Sequence, residues 1–144
     1  MKKKNIALYI DGENIPAKSS AQIFMCVRNM GVLDYAKVYG IQKDKSTYAW
    51  SKCALEIEEL KDIRLYGGPG KNKVDNKIQR DVKKEISNHK NIDIVVIVTS
   101  DHGYATSIRD MRSKGKRVVV IGNHNMSEKL KKSCSKYYCL ENDR

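Results

Sequence analysis

The chain of 144 residues carries 28 lysines and arginines against 17 aspartates and glutamates, which gives a formal net charge of +11. A domain of this length can bury about 70% of the surface that its unfolded chain exposes, so a self-supporting core is expected. The charge favours a polyanionic partner such as nucleic acid over an acidic protein or a neutral metabolite, although a merely lysine-rich surface explains the same composition.

The N-terminal segment starts with MKKK and continues into a short apolar run. Asp11 interrupts this run before it reaches the roughly 7–15 apolar residues of a secretory signal peptide. No later stretch approaches the about 20 apolar residues that cross a bilayer. We therefore expect a cytoplasmic protein that has no membrane partner, and the sequence leaves a homo-oligomer open.

Apolar runs alternate with helical periodicities along the chain, and this order predicts the fold class. The predicted strands cover residues 5–10, 35–39, 62–66, 92–98, 117–121 and, more weakly, 136–140. The predicted helices lie near residues 16–30, 46–60, 74–88, 104–114 and 126–133. Strict alternation predicts an α/β fold: an open parallel sheet of five or six strands, sandwiched by helices. No linker or repeat interrupts it, so we predict one domain over residues 1–144 with a basic C-terminal segment at about 123–144.

Three aspartates occur where strands end or a helix begins. Asp11 follows the first strand, Asp101 follows the run IDIVVIVTS, and Asp75 lies in the first turn of the helix 74–88, within its apolar stripe. Ligands of open parallel sheets bind beyond the carboxyl ends of the strands. Each acid alone also has a structural explanation, as a turn residue beside Gly12 or as a helix cap. Three carboxylates at one edge would repel one another unless a cation such as magnesium or manganese neutralised them.

Basic residues cover the opposite side of the helix 74–88. They are Lys73, Lys77, Arg80, Lys83 and Lys84. A bound phosphate backbone could pass along this side toward Asp75, although a run of charges is also typical of a solvated helix face. The preceding YGGPGKNK at 66–73 lacks the spacing of a phosphate-binding P-loop, so it is either a flexible turn or a loop that closes over a nucleic-acid backbone.

Three segments resemble the NYN domains of the PIN-like nuclease superfamily in their order and spacing: YIDGENI at 9–15, KVDNKIQRDV at 73–82 and VIVTSDHGYATSIRDMRSKGKRVVVIG at 96–122. The resemblance implies a Rossmann-like PIN fold and a ribonuclease that requires magnesium or manganese. The resemblance implies that Asp11, Asp75 and Asp101 bind the metal. It also implies that Asp81 is a further candidate ligand and that Asn14 is a catalytic residue beside the first acid. The predicted RNA-binding residues are Lys73, Lys77, Arg80, Lys84, Thr99 and Ser100.

The third motif departs from the family pattern. The family resembles S-G-D-x-D-F there, whereas this chain reads Thr-Ser-Asp-His-Gly-Tyr over residues 99–104, so Gly103 replaces the second acid. One metal held by the remaining three aspartates could still polarise a phosphate and lower the pKa of a bound water. On this reading the substitution Gly103→Asp is expected to raise activity or metal affinity, and His102 is expected to face solvent.

These observations favour a metal-dependent ribonuclease that hydrolyses phosphodiester bonds in RNA, with single-stranded RNA as the expected substrate. The alternative is a catalytically weakened PIN-like fold that binds RNA or a protein without cutting, and Gly103 favours this alternative. A nucleotide-binding Rossmann domain is a third reading, but the first strand–helix turn reads DGEN and lacks the G-x-G-x-x-G pattern. The RNA target, the endo- or exonucleolytic mode and the number of metals stay open.

Overall fold

The computed structural model describes residues 3–41, 45–65, 73–88 and 91–141. Its strands are β1 (Asn5–Asp11), β2 (Val32–Ile41), β3 (Leu60–Leu65), β4 (Ile94–Val98), β5 (Arg117–Gly122) and β6 (Lys136–Cys139). Its helices are α1 (Ser20–Met30), α2 (Lys45–Glu56), α3 (Lys73–Asn88), α4 (Ala105–Ser113) and α5 (Glu128–Ser133), with short 3-10 turns at Ala17–Ser19 and His102–Tyr104. Within these described residues, no helix is long and apolar enough to cross a membrane.

The strands form one sheet in the order β3-β2-β1-β4-β5-β6, and all neighbouring pairs are parallel. This confirms the predicted α/β fold with an open parallel sheet. The chain starts at the centre of the sheet, builds outward to β3, and then returns to add β4 on the other side of β1. The strand order therefore reverses between β1 and β4, and the loops that follow these two strands diverge to leave a crevice between them.

The central strands are apolar on both faces because helices cover both. On β1, Ile6, Leu8 and Ile10 belong to one core cluster, whereas Ala7 and Tyr9 belong to the other. All five are fully buried. A strand in this position reads as a continuous apolar run, as β1 and β4 do.

Several predicted boundaries differ from the structure, and hydrogen bonds account for two of the differences. The strand predicted at 35–39 starts already at Val32, whose backbone N–H donates to the Lys4 carbonyl (2.8 Å) and extends the pairing with β1. The helix predicted at 46–60 ends at Glu56, and the Leu60 N–H donates to the Ile57 carbonyl (3.1 Å) in the turn that leads into β3. An apolar pattern does not specify where such pairing begins.

Trp50 of α2 forms a hydrogen bond with the loop that follows β1. Its side chain is 1% exposed, and the indole Nε1–H donates to the Ile15 carbonyl (2.7 Å). The backbone at Gly12 lies close to β2 and to Trp50. A Cβ added at Gly12 would lie 2.7 Å from the Tyr39 carbonyl oxygen and 3.2 Å from Trp50 Cδ1. Only a residue without a side chain fits there, so the loop from 12 to 15 leaves β1 in a defined direction.

Candidate active site

The structure brings Asp11, Asp75 and Asp101 to one cavity. Asp11 is the last residue of β1, Asp101 follows β4, and Asp75 lies in the first turn of α3. Because β1 and β4 are adjacent and parallel, the segments after them leave the same edge of the sheet. The cavity measures about 170 Å³ and is lined by Asp11, Glu13, Asn14, Val74, Asp75 and Asp101. It lies where the strand order reverses, the usual ligand position in sheets of this kind.

Asp11 is a buried carboxylate whose hydrogen-bond partners among the described residues are neutral groups. It is 6% exposed, and its Oδ2 accepts hydrogen bonds from Thr99 Oγ1 (3.3 Å) and the Tyr104 hydroxyl (3.2 Å), while Oδ1 accepts from the Asn14 N–H (3.3 Å). Burial raises the pKa of Asp11 to about 6, against the opposing effect of these hydrogen bonds. Among the described side chains, no lysine or arginine pairs with it. Its charge at neutral pH is therefore uncompensated within the described part of the chain.

Asp75 is also buried, and its partner comes from its own helix. The Gln79 side-chain amide donates to Asp75 Oδ1, and the Gln79 carbonyl oxygen in turn accepts from the Ser107 hydroxyl of α4. Burial is the largest cause that raises the pKa of Asp75; the Gln79 hydrogen bond lowers it, and the nearby charge of Asp101 raises it. The repulsion between the two carboxylates is the expected consequence of gathering like charges at one site.

Asp101 caps the 3-10 turn that follows it. Its Oδ1 accepts from the Gly103 N–H (3.0 Å), and its own N–H donates to Thr99 Oγ1 (3.2 Å). Asp101 is therefore a helix cap, as one of its structural explanations predicted. Its carboxylate also lines the cavity. His102 is largely exposed, with Nδ1 3.7 Å from Asp101 Oδ1, in line with its predicted solvent-facing position.

Gly103 provides the space that Asp75 occupies. A Cβ built at this position would lie 2.7 Å from Asp75 Oδ2 and 3.5 Å from Asp101 Oδ1. The first distance is shorter than a carbon–oxygen contact allows. A side chain at position 103 therefore requires the Asp75 carboxylate to move, and the effect of Gly103→Asp on activity or metal affinity stays a prediction.

Asn14 and Ser100 join the loops at the carboxyl ends of three strands. Asn14 Oδ1 accepts from the Ser100 N–H (2.8 Å), and Ser100 Oγ accepts from the Asn123 N–H (2.8 Å). These bonds connect the segments after β1, β4 and β5. Thr99 is fully buried and its hydroxyl donates to Asp11, whereas the RNA-binding role expected of it stays a prediction.

A family model described as NYN domain matches residues 5–141. The chain belongs to the NYN domain family. NYN domains share a PIN-like nuclease fold, generally act on nucleic acids and generally use divalent metals. The solved structure of a protein of unknown function from Vibrio parahaemolyticus is similar to this chain with a TM-score of 0.78 at 18% identity, over 97% of this chain and 94% of that one. No curated protein matches this chain.

Asp81 of this NYN domain does not line the cavity of the three aspartates, and its role as a metal ligand stays a prediction. Its Oδ2 accepts from the Tyr39 hydroxyl (2.7 Å), and its Oδ1 lies 3.0 Å from Lys77 Nζ. A turn further along α3, Glu85 accepts from the Tyr9 hydroxyl (2.7 Å) and pairs with Lys37. Both acids bind α3 to β1 and β2, and this attachment sets the position of Asp75 at the start of the helix.

The predicted RNA-binding residues of α3 divide into two groups. Arg80, Lys83 and Lys84 are exposed, whereas Lys77 is partly covered by its pairing with Asp81. The side chain of Lys73 and the loop 66–72 lie outside the described residues. The exposed cations therefore begin one to two turns along the helix from Asp75.

Three side chains that contact the site residues were not anticipated from the sequence. The Tyr104 hydroxyl that contacts Asp11 could have been suspected, because a tyrosine in an otherwise apolar position generally finds a polar partner when buried. Gln79 follows Asp75 by four residues, the spacing at which helical side chains meet. Ser107 carries no such signal, since it lies on another helix.

The donor set suits a hydrated magnesium or manganese ion. Within the described residues, no group of three His, Cys, Asp or Glu side chains is arranged closely enough to hold a metal. Magnesium in proteins usually keeps several waters and binds through one or two carboxylates together with substrate phosphates. The open cavity and its hard oxygen donors match this mode and do not match an all-protein cage.

Proposed function

We propose that this chain is a ribonuclease that hydrolyses phosphodiester bonds of single-stranded RNA with the help of magnesium or manganese. The observation that carries the proposal is the carboxylate of Asp11, which pairs with no described lysine or arginine, is buried at the point where the strand order reverses, and shares one cavity with Asp75 and Asp101. A buried charge of this kind is costly unless a cation pairs with it. Family membership supports a nuclease-like role in the same place.

The ion would bind in the cavity of the three aspartates, directly to one or two of the carboxylates and through its waters to the rest, and each carboxylate is oriented by its neighbours. A bound dication would polarise a phosphate oxygen and lower the pKa of a bound water. Thr99 and Tyr104 direct one oxygen of Asp11, while the Gly103 N–H directs Asp101. Asn14 orients the loop beside Asp11 through its bond to Ser100. Because the pKa of Asp11 lies at about 6, this carboxylate is charged and able to bind a cation at neutral pH.

Cleavage of single-stranded RNA by the purified protein tests the proposal. We expect cleavage in magnesium or manganese, none in EDTA, and recovery when the metal is returned in excess. The proposal would be contradicted if cleavage persisted in EDTA, or if an Asp101→Asn protein purified in the same way cleaved RNA as fast as the wild-type protein.

The alternative is a fold that binds RNA without cutting it, and Gly103 in place of an acid favours this second function. RNA binding with no cleavage in any divalent metal would support it and exclude the first. A nuclease and an RNA-binding protein would both use the basic residues of α3, so a measurement of RNA binding by itself does not distinguish the two functions.

The basic surface of α3, defined as Lys77, Arg80 and Lys84, is expected to bind RNA phosphates. Affinity for single-stranded RNA should fall by about 0.7 log units per log unit of salt for each phosphate neutralised, because bound counterions are released. The triple variant Lys77→Ala, Arg80→Ala, Lys84→Ala should weaken binding to all sequences similarly and flatten this slope. Fluorescence anisotropy across a salt series measures both effects.

A matched control removes three positive charges elsewhere. Arg28 and Lys52 are exposed on α1 and α2, whose buried residues belong to the core cluster on the other face of the sheet from α3, and Lys4 is exposed just before β1. The variant with alanine at these three positions has the same net charge as the test variant. Equal losses of affinity in the two variants would show that only net charge matters and would move the RNA path away from α3.

A further inference from the structure

The Asp75 carboxylate is held by a chain of two hydrogen bonds that begins on a different helix. The Ser107 hydroxyl of α4 donates to Gln79 Oε1, and Gln79 Nε2 donates to Asp75 Oδ1. Gln79 and Ser107 are both partly buried, and both line a second pocket between α3 and α4. α3 and α4 meet at this point, beside the cavity.

The chemistry of the two side chains gives the chain a direction. A glutamine amide has an acceptor on one side and donors on the other, whereas an ionised carboxylate only accepts. Because the ionised Asp75 carboxylate only accepts, the NH₂ group of Gln79 is turned toward Asp75; with the amide reversed, its oxygen would face the carboxylate oxygen, and two acceptors would repel. The Ser107 hydroxyl, which can donate or accept, donates to the Gln79 oxygen and so adds to the stability of this amide orientation.

The other oxygen of Asp75 is confined by Gly103. A Cβ at 103 would approach Asp75 Oδ2 to 2.7 Å, so the carboxylate lies close against this backbone. One oxygen is bound by Gln79 and the other lies against Gly103, which restricts rotation of the carboxylate. An acid that is fixed before the ion arrives loses less side-chain entropy on binding it.

We propose that Gln79 and Ser107 are positioning residues that orient the Asp75 carboxylate toward the divalent cation of the proposed nuclease site. The proposal rests on the proposed function, because it requires that a cation binds at this cavity. It extends that function to two residues on α3 and α4, and neither of them lines the cavity formed by the three aspartates. Outer hydrogen-bond partners of ligands tune metal affinity in this way.

Manganese affinity, measured by calorimetry or electron paramagnetic resonance without RNA, tests the proposal. Gln79→Met keeps the length of the side chain and removes the donor, and we expect it to weaken manganese binding by about 10-fold. Ser107→Ala should also weaken it, and Ser107→Thr, which retains the hydroxyl, should restore it. Ser113→Ala is the matched control, because this serine also lies on α4 but its hydroxyl donates to the Asp110 carbonyl of its own helix.

The double variant Gln79→Met, Ser107→Ala separates a positioning chain from two independent structural contacts. If Ser107 acts through Gln79, the double variant should bind manganese as Gln79→Met does, because the effects of coupled residues do not add. Additive losses, or an unchanged affinity accompanied only by a lower melting temperature, would overturn the positioning role. A wild-type protein that binds no manganese would instead refute the metal site of the proposed function and this inference with it.

Discussion

Asp11→Asn and Asp101→Asn are each expected to reduce RNA cleavage by more than about 100-fold, since even the outer partners of metal ligands account for 10–100-fold. Each substitution removes a negative oxygen that faces the cavity while preserving the shape of the side chain. Single-turnover cleavage of a labelled RNA at saturating manganese measures the loss. Asp110→Asn is a suitable control, because Asp110 is exposed on α4 and its only ion pair within the described residues is with Lys114.

The same Asp11→Asn variant should be more stable than the parent when no metal is present. The folded protein keeps a proton on Asp11 up to about pH 6, whereas the unfolded chain releases it near 3.8. Between these values the folded state holds more protons, so the free energy of unfolding falls as the pH rises. The cost reaches about 3 kcal/mol above pH 6, at 1.36 kcal/mol for each pH unit between the two values.

Asparagine avoids this cost but turns an NH₂ group toward one of the hydrogen-bond donors around Asp11. We therefore expect a net gain of about 2 kcal/mol at pH 7.5 after the loss of roughly one hydrogen bond. Urea unfolding in EDTA at pH 4 and pH 7.5 measures it, and the gain should be confined to the higher pH. Excess manganese should stabilise the parent, by about 2.7 kcal/mol at 100 times the dissociation constant, and leave the variant unchanged. Wild-type cleavage by both Asp→Asn variants would refute the proposed site.

Trp50→Ala is expected to destabilise the fold by about 3–5 kcal/mol, because it leaves a cavity in the core that the backbone cannot fill. It also leaves the Ile15 carbonyl without the indole N–H that now donates to it. The loss is a large part of the about 5–15 kcal/mol by which domains are usually stable. Urea unfolding followed by circular dichroism measures it, since Trp50 is the chain's one tryptophan and its removal abolishes that fluorescence signal.

Two further variants separate packing from hydrogen bonding at this position. Trp50→Phe keeps most of the apolar volume and removes the donor, so it should cost less than Trp50→Ala. Leu55→Ala on the same helix should change stability by less than about 0.5 kcal/mol, because Leu55 is 89% exposed. A Trp50→Ala protein as stable as the Leu55→Ala protein would show that α2 does not hold the loop after β1.

The fold and the three site aspartates could be predicted from local patterns. Apolar runs separated by helical periods specify strand and helix, and parallel strands must send their carboxyl ends to one edge. Asp11 and Asp101 follow two such runs, and Asp75 lies in the apolar stripe of a helix that starts at that edge. These inferences need only the period of each element, which the chain carries locally.

The tertiary structure decided which partner each polar group has. Asp81 carries a charge on α3 as Asp75 does, but the pairing of β2 with β1 brings Tyr39 to it and makes it a structural contact. Thr99 is buried, and its partner is Asp11 at the end of the adjacent strand. Gly103 makes room for Asp75, and Ser107 reaches Gln79, only because α3 and α4 pack side by side. The spacing of residues within one segment does not predict these contacts, because each contact depends on the order of the strands and on the way two helices pack.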